Sequence, residues 1–249
     1  MLLISLIVSV GAEAQYFEGT MTWTTKSDIK MSAEQKKQME ESRKAMEKQL
    51  NHPAFKKQME QNPQLKEMME KQLRTMENMS GEGGGGILPE KMVTMTKGKN
   101  TKTIMSETDV ILYQGNAGKT FSLNPVKKTY HELPASNTGD EGTKLNVVKT
   151  TETAVINGYK CKKYIITSDR STEMTQFLWA TTDIKDIDPA VFQRSGNSKQ
   201  NWYFKEVEGF PVKMEIKTPQ GNISMELTEM KRTKLSDSDF QIPSDYKKV

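Results

Sequence analysis

From Tyr16 to Lys30 apolar and polar side chains alternate, with Phe17, Gly19, Met21 and Trp23 on one parity and Glu18, Thr20, Thr22 and Thr24 on the other. That period of two predicts a strand with one buried face. The pattern then changes. Residues 32–79 are rich in Glu, Lys, Gln and Met, nearly free of β-branched residues, and open on Ser32-Ala33-Glu34-Gln35, a capping box. Asn51-His52-Pro53 and Asn62-Pro63 set cap residues beside prolines that a first helical turn tolerates, so three helices are predicted, at about 33–50, 53–61 and 63–79. Leu65, Met68, Met69, Leu73 and Met76 fall on one face of the third, while Glu67–Lys71 and Glu70–Arg74 form i,i+4 pairs on its wet side. Ser80 to Gly86, with four consecutive glycines, reads as a flexible tether.

From Leu88 onward the period returns to two, in short segments punctuated by turn residues. Phe121 and Leu123 alternate with polar neighbours, Asn124-Pro125 turns the chain, and Val126 to Leu133 returns as the second arm of a hairpin. Val212, Met214 and Ile216 lead through Thr218-Pro219-Gln220-Gly221 into Ile223, Met225 and Leu227, the clearest hairpin in the chain. Asn157-Gly158 is a third turn signal. One helix is predicted in this half, at about 189–195, where Asp188-Pro189 supplies the cap and the first-turn proline. The expected fold is mainly β with a helical insertion: a curved antiparallel sheet, an incomplete barrel, with amphipathic helices against its concave face. One domain spans 15–249, and residues 32–86 are the helical, Met-rich insertion with its tether.

Composition narrows the class. The 249 residues are 35% hydrophobic and 27% charged, with mean hydropathy −0.70. Outside the first ten residues no apolar run approaches the roughly 18 needed to cross a bilayer as a helix. An integral membrane protein is therefore not expected. Residues 2–10 are apolar and lead into Gly11-Ala12-Glu13-Ala14, whose alanines match the A-x-A site of a secretory signal, although no Lys or Arg precedes the run. A signal peptide over 1–14, cleaved before Gln15, and a periplasmic or secreted location are the expectations. The formal charge of +4 then becomes +5 as Glu13 leaves. Acidic and basic residues are interleaved along the chain, which does not suit a nucleic-acid groove.

Candidate chemistry is sparse. One cysteine and two histidines give neither a four-ligand zinc site nor a disulfide framework. Cys161 lies in an alternating stretch and is expected to be buried as a small hydrophobe. Gly115-Asn116-Ala117-Gly118-Lys119-Thr120 ends like a phosphate loop, but Tyr113 stands where the pattern needs glycine and strand chemistry follows, so a turn is expected. Asp183, Asp186 and Asp188 offer oxygens to a hard cation without the glycine and late glutamate of a calcium loop. No serine occupies a nucleophile elbow, and His52 and His131 fall on different elements. No catalytic residue, metal site or cofactor is assigned, and the expected class is not an enzyme. Eight methionines, Met31, Met39, Met46, Met59, Met68, Met69, Met76 and Met79, lie in or beside the helical insertion. They fill a packing stripe, face an apolar partner or hold cuprous copper; the residues alone leave all three open. Trp23, Phe177, Trp179 and Trp202 fall on different predicted strands and line either a closed core or the mouth of an apolar cavity.

An ordered set of phrases runs through the β half. It comprises Tyr16-Phe17-Glu18-Gly19, Lys97-Gly98-Lys99-Asn100, Asn157-Gly158-Tyr159-Lys160-Cys161-Lys162-Lys163-Tyr164, Phe177-Leu178-Trp179-Ala180-Thr181, Glu208-Gly209-Phe210-Pro211-Val212-Lys213 and Phe240-Gln241-Ile242-Pro243-Ser244-Asp245-Tyr246. Together these resemble the secreted bacterial family known as domain of unknown function 4412, over most of residues 16–30 and 88–246. That family is similar to the periplasmic lipoprotein carriers, in which an incomplete barrel wraps helices with an apolar concave face. The resemblance implies an envelope or secreted protein that holds a lipid or another apolar ligand, and it carries over no catalytic residue. Trp23, Met68, Met69, Phe177, Trp179 and Trp202 are the expected lining. The alternative is a protein-interaction or chaperone-like module that meets an envelope protein through its Met-rich helices; residues 51–69 resemble the Asn-Pro-punctuated helices of co-chaperone client-binding modules.

Overall fold

Twelve strands hydrogen-bond into one sheet in the computed structural model, which describes residues 16–62, 65, 66, 68, 69, 72, 73, 76, 89–133, 145–169, 171–187 and 206–249. The elements are β1 (Glu18–Ser27), α1 (Ala33–Asn51), α2 (Pro53–Gln61), β2 (Lys91–Lys97), β3 (Asn100–Ser106), β4 (Asp109–Gln114), β5 (Lys119–Asn124) and β6 (Thr129–Leu133). They continue as β7 (Leu145–Ile156), β8 (Tyr159–Ser168), β9 (Ser171–Thr181), β10 (Phe210–Thr218), β11 (Gly221–Arg232), a 3-10 turn (Asp237–Phe240) and β12 (Lys247–Lys248). The spatial order is β12-β6-β5-β4-β3-β2-β1-β11-β10-β9-β8-β7. Two antiparallel meanders, β2–β6 and β7–β11, thus stand side by side with β1 between them, antiparallel to β2 and to β11. The sheet ends at β7 and β12 and is not closed into a barrel.

The turns follow the residues that punctuate the chain. Between β7 and β8, Asn157 and Gly158 both take positive φ, 49° and 84°, the geometry of the tight hairpin turn that Asn-Gly favours. Gly115 to Gly118 connects β4 to β5 as a turn, and a Cβ on Gly115 would lie 2.4 Å from the Lys99 carbonyl. A phosphate-binding role is thereby replaced by close packing of two turns.

Three apolar clusters hold the sheet. Phe17, Met21, Trp23, Phe210, Val212, Met225 and Leu227 form the first with Cys161, beneath Ile184 and Ile187. Tyr164, Ile166, Leu178, Met214, Ile216 and Ile223 form the second. In the third, Val110 stands opposite Leu123 and Leu112 opposite Phe121, and Phe240 packs on them with Leu235, Ile242 and Tyr246. The C-terminal segment that supplies these residues is pinned by polar contacts: Lys97 Nζ donates to the Leu235 carbonyl at 2.8 Å, and Gln114 Nε2 to the Phe240 carbonyl at 2.9 Å. At the other end of the sheet, Phe17 N donates to the Asp186 carbonyl at 2.8 Å, and Arg232 pairs with the Asp186 carboxylate while lying 5.2 Å above the Phe17 ring. The Asn157 side chain donates to Glu226 Oε1 at 2.9 Å and to the Leu227 carbonyl at 2.5 Å, joining the β7–β8 turn to β11.

The helices depart from expectation in their packing. α1 begins at Ser32 with the full capping box, Ser32 Oγ accepting from Gln35 N and Gln35 returning to Ser32 N. Yet no α1 side chain is buried, its helical neighbour is α2, and Met59 is the buried residue of α2. Helices laid against a concave face are therefore not what α1 provides. Its half-buried stripe is Met39, Arg43, Met46 and Leu50, and Arg43, clamped by Glu40 and Glu47, interrupts it with charge. That stripe removes too little apolar area from water to anchor a helix on a sheet. Residues 1–14, most of the predicted third helix, the glycine tether and the helix expected at 189–195 lie outside the described residues.

Two outcomes follow from this packing. Gly19 has φ 154° in β1, and an added Cβ would sit 2.0 Å from the Lys231 carbonyl; Gly19→Ala should lower stability by more than about 1 kcal/mol, read from urea unfolding. The Arg232 guanidinium holds the Asp186 carboxyl below its ordinary value of 3.8, so the folded state releases that proton more readily than the unfolded state. Its contribution to stability is complete above the ordinary value and is lost as pH falls through the lowered one. Asp186→Asn should therefore flatten the acid limb of a stability-versus-pH curve and lower the plateau at neutral pH.

Candidate functional site

The β2–β3 hairpin carries threonine at alternate positions, Thr94 and Thr96 on one arm and Thr101 and Thr103 on the other, around a turn in which Gly98 takes φ 58°. Strand alternation sends all four to one side. Register extends the side into two rows: Gly19–Thr96–Thr101–Tyr113 and Met21–Thr94–Thr103–Ile111. The reverse side of the hairpin carries Met95 and Ile104, which pack on the third core. Thr94, Thr96, Thr101 and Thr103 are 1%, 2%, 0% and 7% exposed, and Ile111 and Tyr113 are buried with them. Neither row contains Lys, Arg, Asp or Glu. Through Met21 the face continues to Trp23 and, opposite it, Met92, both in the first core.

The hydroxyls divide into two kinds. Thr94 and Thr103 bond one another across the strands at 3.3 Å. Thr96 and Thr101, also opposite one another, leave both Oγ1 atoms buried without a hydrogen-bond partner among the described residues, as does Thr25 at the β1 edge of the face. Valine has nearly the same shape and would fill these sites without a hydroxyl, whereas an unsatisfied buried hydroxyl costs about 1–3 kcal/mol. Across β1–β4 the two rows offer paired donors and acceptors to an uncharged polar group and contain no His, Cys, Lys, Arg, Asp or Glu; further along the second row the register reaches Ser122 and His131. Among the described residues no group of three or more His, Cys, Asp or Glu is suited to hold a metal ion. Asp183 accepts from Lys160 N at 3.2 Å and Asp186 pairs with Arg232, while Asp188 lies outside the described residues. Cys161 is a buried free thiol whose pKa burial pushes up.

Of the predicted lining residues, Trp23 lies in the first core and Trp179 packs on that core as a partly buried neighbour. Trp23 is 4% exposed, with its ring 6.2 Å from that of Phe210. Along the register Trp23 stands opposite Leu227, Thr25 opposite Met225, Met225 opposite Met214, and Met214 opposite Leu178. Trp23 thus shares a side with Leu178, and Phe177 and Trp179, one residue to either side of Leu178, belong to the reverse. There Lys163 Nζ lies 4.8 Å from the Phe177 centroid and 5.5 Å from the Trp179 centroid, with Lys217 Nζ 5.0 Å from Phe177. Met68 is exposed, Met69 half-buried, and Trp202 lies outside the described residues. The threonine face went unread, although its signal is plain: T-x-T on both arms of a hairpin, where valine or isoleucine is the usual buried choice.

The description of a domain of unknown function, DUF4412, matches residues 68–246. The chain belongs to the DUF4412 family. A comparison with curated proteins found no match. The DUF4412 stretch begins beyond α2, so β1 lies outside it, yet β1 supplies Gly19 and Met21 to the two rows and joins the DUF4412 meanders to each other. Replacing Thr96 and Thr101 together by valine should raise the thermal unfolding midpoint, by the equivalent of about 1 kcal/mol or more, because two unpartnered hydroxyls are removed from the interior.

Proposed function

We propose that this DUF4412 protein is an exported, non-enzymatic binding protein that holds an apolar or amphiphilic ligand against the threonine-lined face of β1–β4, in the manner of the periplasmic lipoprotein carriers. The observation that carries this reading is the pair of buried, unpartnered hydroxyls at Thr96 and Thr101 on a face that runs into Met21, Met92 and Trp23. Polar groups held ready in an apolar setting are how ligand sites fix orientation. A bent sheet is supported by the Asn157 contacts. β8 and β11 are three strand spacings apart, about 14 Å in a flat sheet, yet the β7–β8 turn bonds β11 directly and Tyr159 Oη reaches Met230 Sδ at 3.7 Å. Export is supported by the apolar leader ending in Ala12-Glu13-Ala14. Organic extraction and native mass spectrometry of protein purified from its own envelope should reveal a bound lipid; protein that is mass-homogeneous and lipid-free would sink the reading.

A second reading is favoured by the helices. α1 and α2 pack on each other and leave an open cleft of about 430 Å3 lined by Ala45, Lys48, His52 and Phe55, a surface suited to a protein partner. Deleting residues 32–86 separates the two: the carrier keeps its lipid if β1 still pairs, whereas a partner-binding arm loses its partner while the sheet stays folded.

A further inference from the structure

We infer that the polar group of the ligand is uncharged and seats between Thr96 and Thr101, so that the protein takes neutral amphiphiles, such as glycerol esters, and rejects ionised ones. The inference rests on the binding reading above and adds the chemical class of the ligand. Thr96 Oγ1 and Thr101 Oγ1 are nine-tenths buried or more and unpartnered, on adjacent strands in register. A hydroxyl both donates and accepts, so the pair can donate to an ester carbonyl, which only accepts, or exchange hydrogen bonds both ways with an alcohol. Across β1–β4 neither row carries a Lys or Arg to offset a buried carboxylate or phosphate. Of the hairpin lysines, Lys91, Lys97 and Lys102 alternate with the threonines and belong to the reverse side, Lys99 lies in the turn, and Lys97 is held by the Leu235 carbonyl and Asp237. An anion placed against the rows would be desolvated without a partner. The row begins at Gly19, which presents no side chain, and the flanking row, Met21–Thr94–Thr103–Ile111, is apolar at Met21 and Ile111, continues beyond Ile111 to Ser122 and His131, and on the β1 side leads to Trp23, a surface for the hydrocarbon portion. Both hydroxyls are closed to solvent, so seating a ligand between them requires the face to open.

The test uses the mature chain from Gln15, titrated with 1-monooleoylglycerol and, at a pH where its carboxyl is ionised, with oleate, and read by native mass spectrometry. Monooleoylglycerol should bind about tenfold more tightly than oleate. Thr96→Val with Thr101→Val should weaken it by about tenfold while the protein stays folded by circular dichroism, and Thr96→Ser with Thr101→Ser should retain it. Oleate binding as tightly as the ester would overturn the neutral-head inference and leave the binding reading standing. Undiminished affinity in the folded valine variant would show that the polar group sits elsewhere. If neither probe binds, both readings fall.

Discussion

The sheet depends on a strand that sits between the strand that follows it in the chain and one from the far end of the chain. β1 bonds β2 along one edge and β11 along the other, and without it the two meanders have no shared ladder. An exposed strand edge is a row of unpaired donors and acceptors, so β1 removes two such edges at once. It also sets chemistry. Met21 and Trp23 tie the first core together, and Gly19 lets the Lys231 carbonyl approach where a side chain would collide.

Around that strand the two meanders bury different surfaces. The β2–β6 meander is covered on one side by the C-terminal segment, whose Phe240 and Tyr246 close the third core, and on the other it presents threonines. β4 shows the result in its burial: Val110, Ile111, Leu112 and Tyr113 are all buried, so both of its sides are inside. The β7–β11 meander places Leu178, Tyr164 and Met214 inward and a ladder of Lys163, Phe177, Trp179 and Lys217 outward. An apolar interior is self-sufficient where methyl groups meet methyl groups. Buried hydroxyls are not, and the contrast between the meanders is the physical basis for placing a ligand on one and not the other.

Much of the β architecture was legible because period two and turn residues are local signals. The hairpins at Asn124-Pro125, Asn157-Gly158 and Pro219-Gln220-Gly221, and the capping box at Ser32, all occur where their residues point. Side assignment along β9 was not legible. Trp179 and Phe177 look like core residues by type, and only the register with β8 and β10 shows that Leu178 takes the side of Trp23, while Trp179, on the other parity, packs on the first core as a partly buried neighbour. Helix placement failed for a related reason. Met39, Met46 and Leu50 have helical spacing, but amphipathicity does not say whether a stripe meets a sheet, another helix or water. The threonine face was readable as a pattern and was missed because threonine is a common strand residue, whose meaning changes only when burial is known.

The pairing of β1 with β11 also sets the order of assembly. Thr24 and Thr228, which touch across that ladder, are 204 residues apart in sequence. Each meander is made of local hairpins that close cheaply, whereas pairing β1 with β11 closes a loop that contains both meanders. β1 is therefore the keystone of the sheet: until it meets β11, the seam between the two meanders stays open.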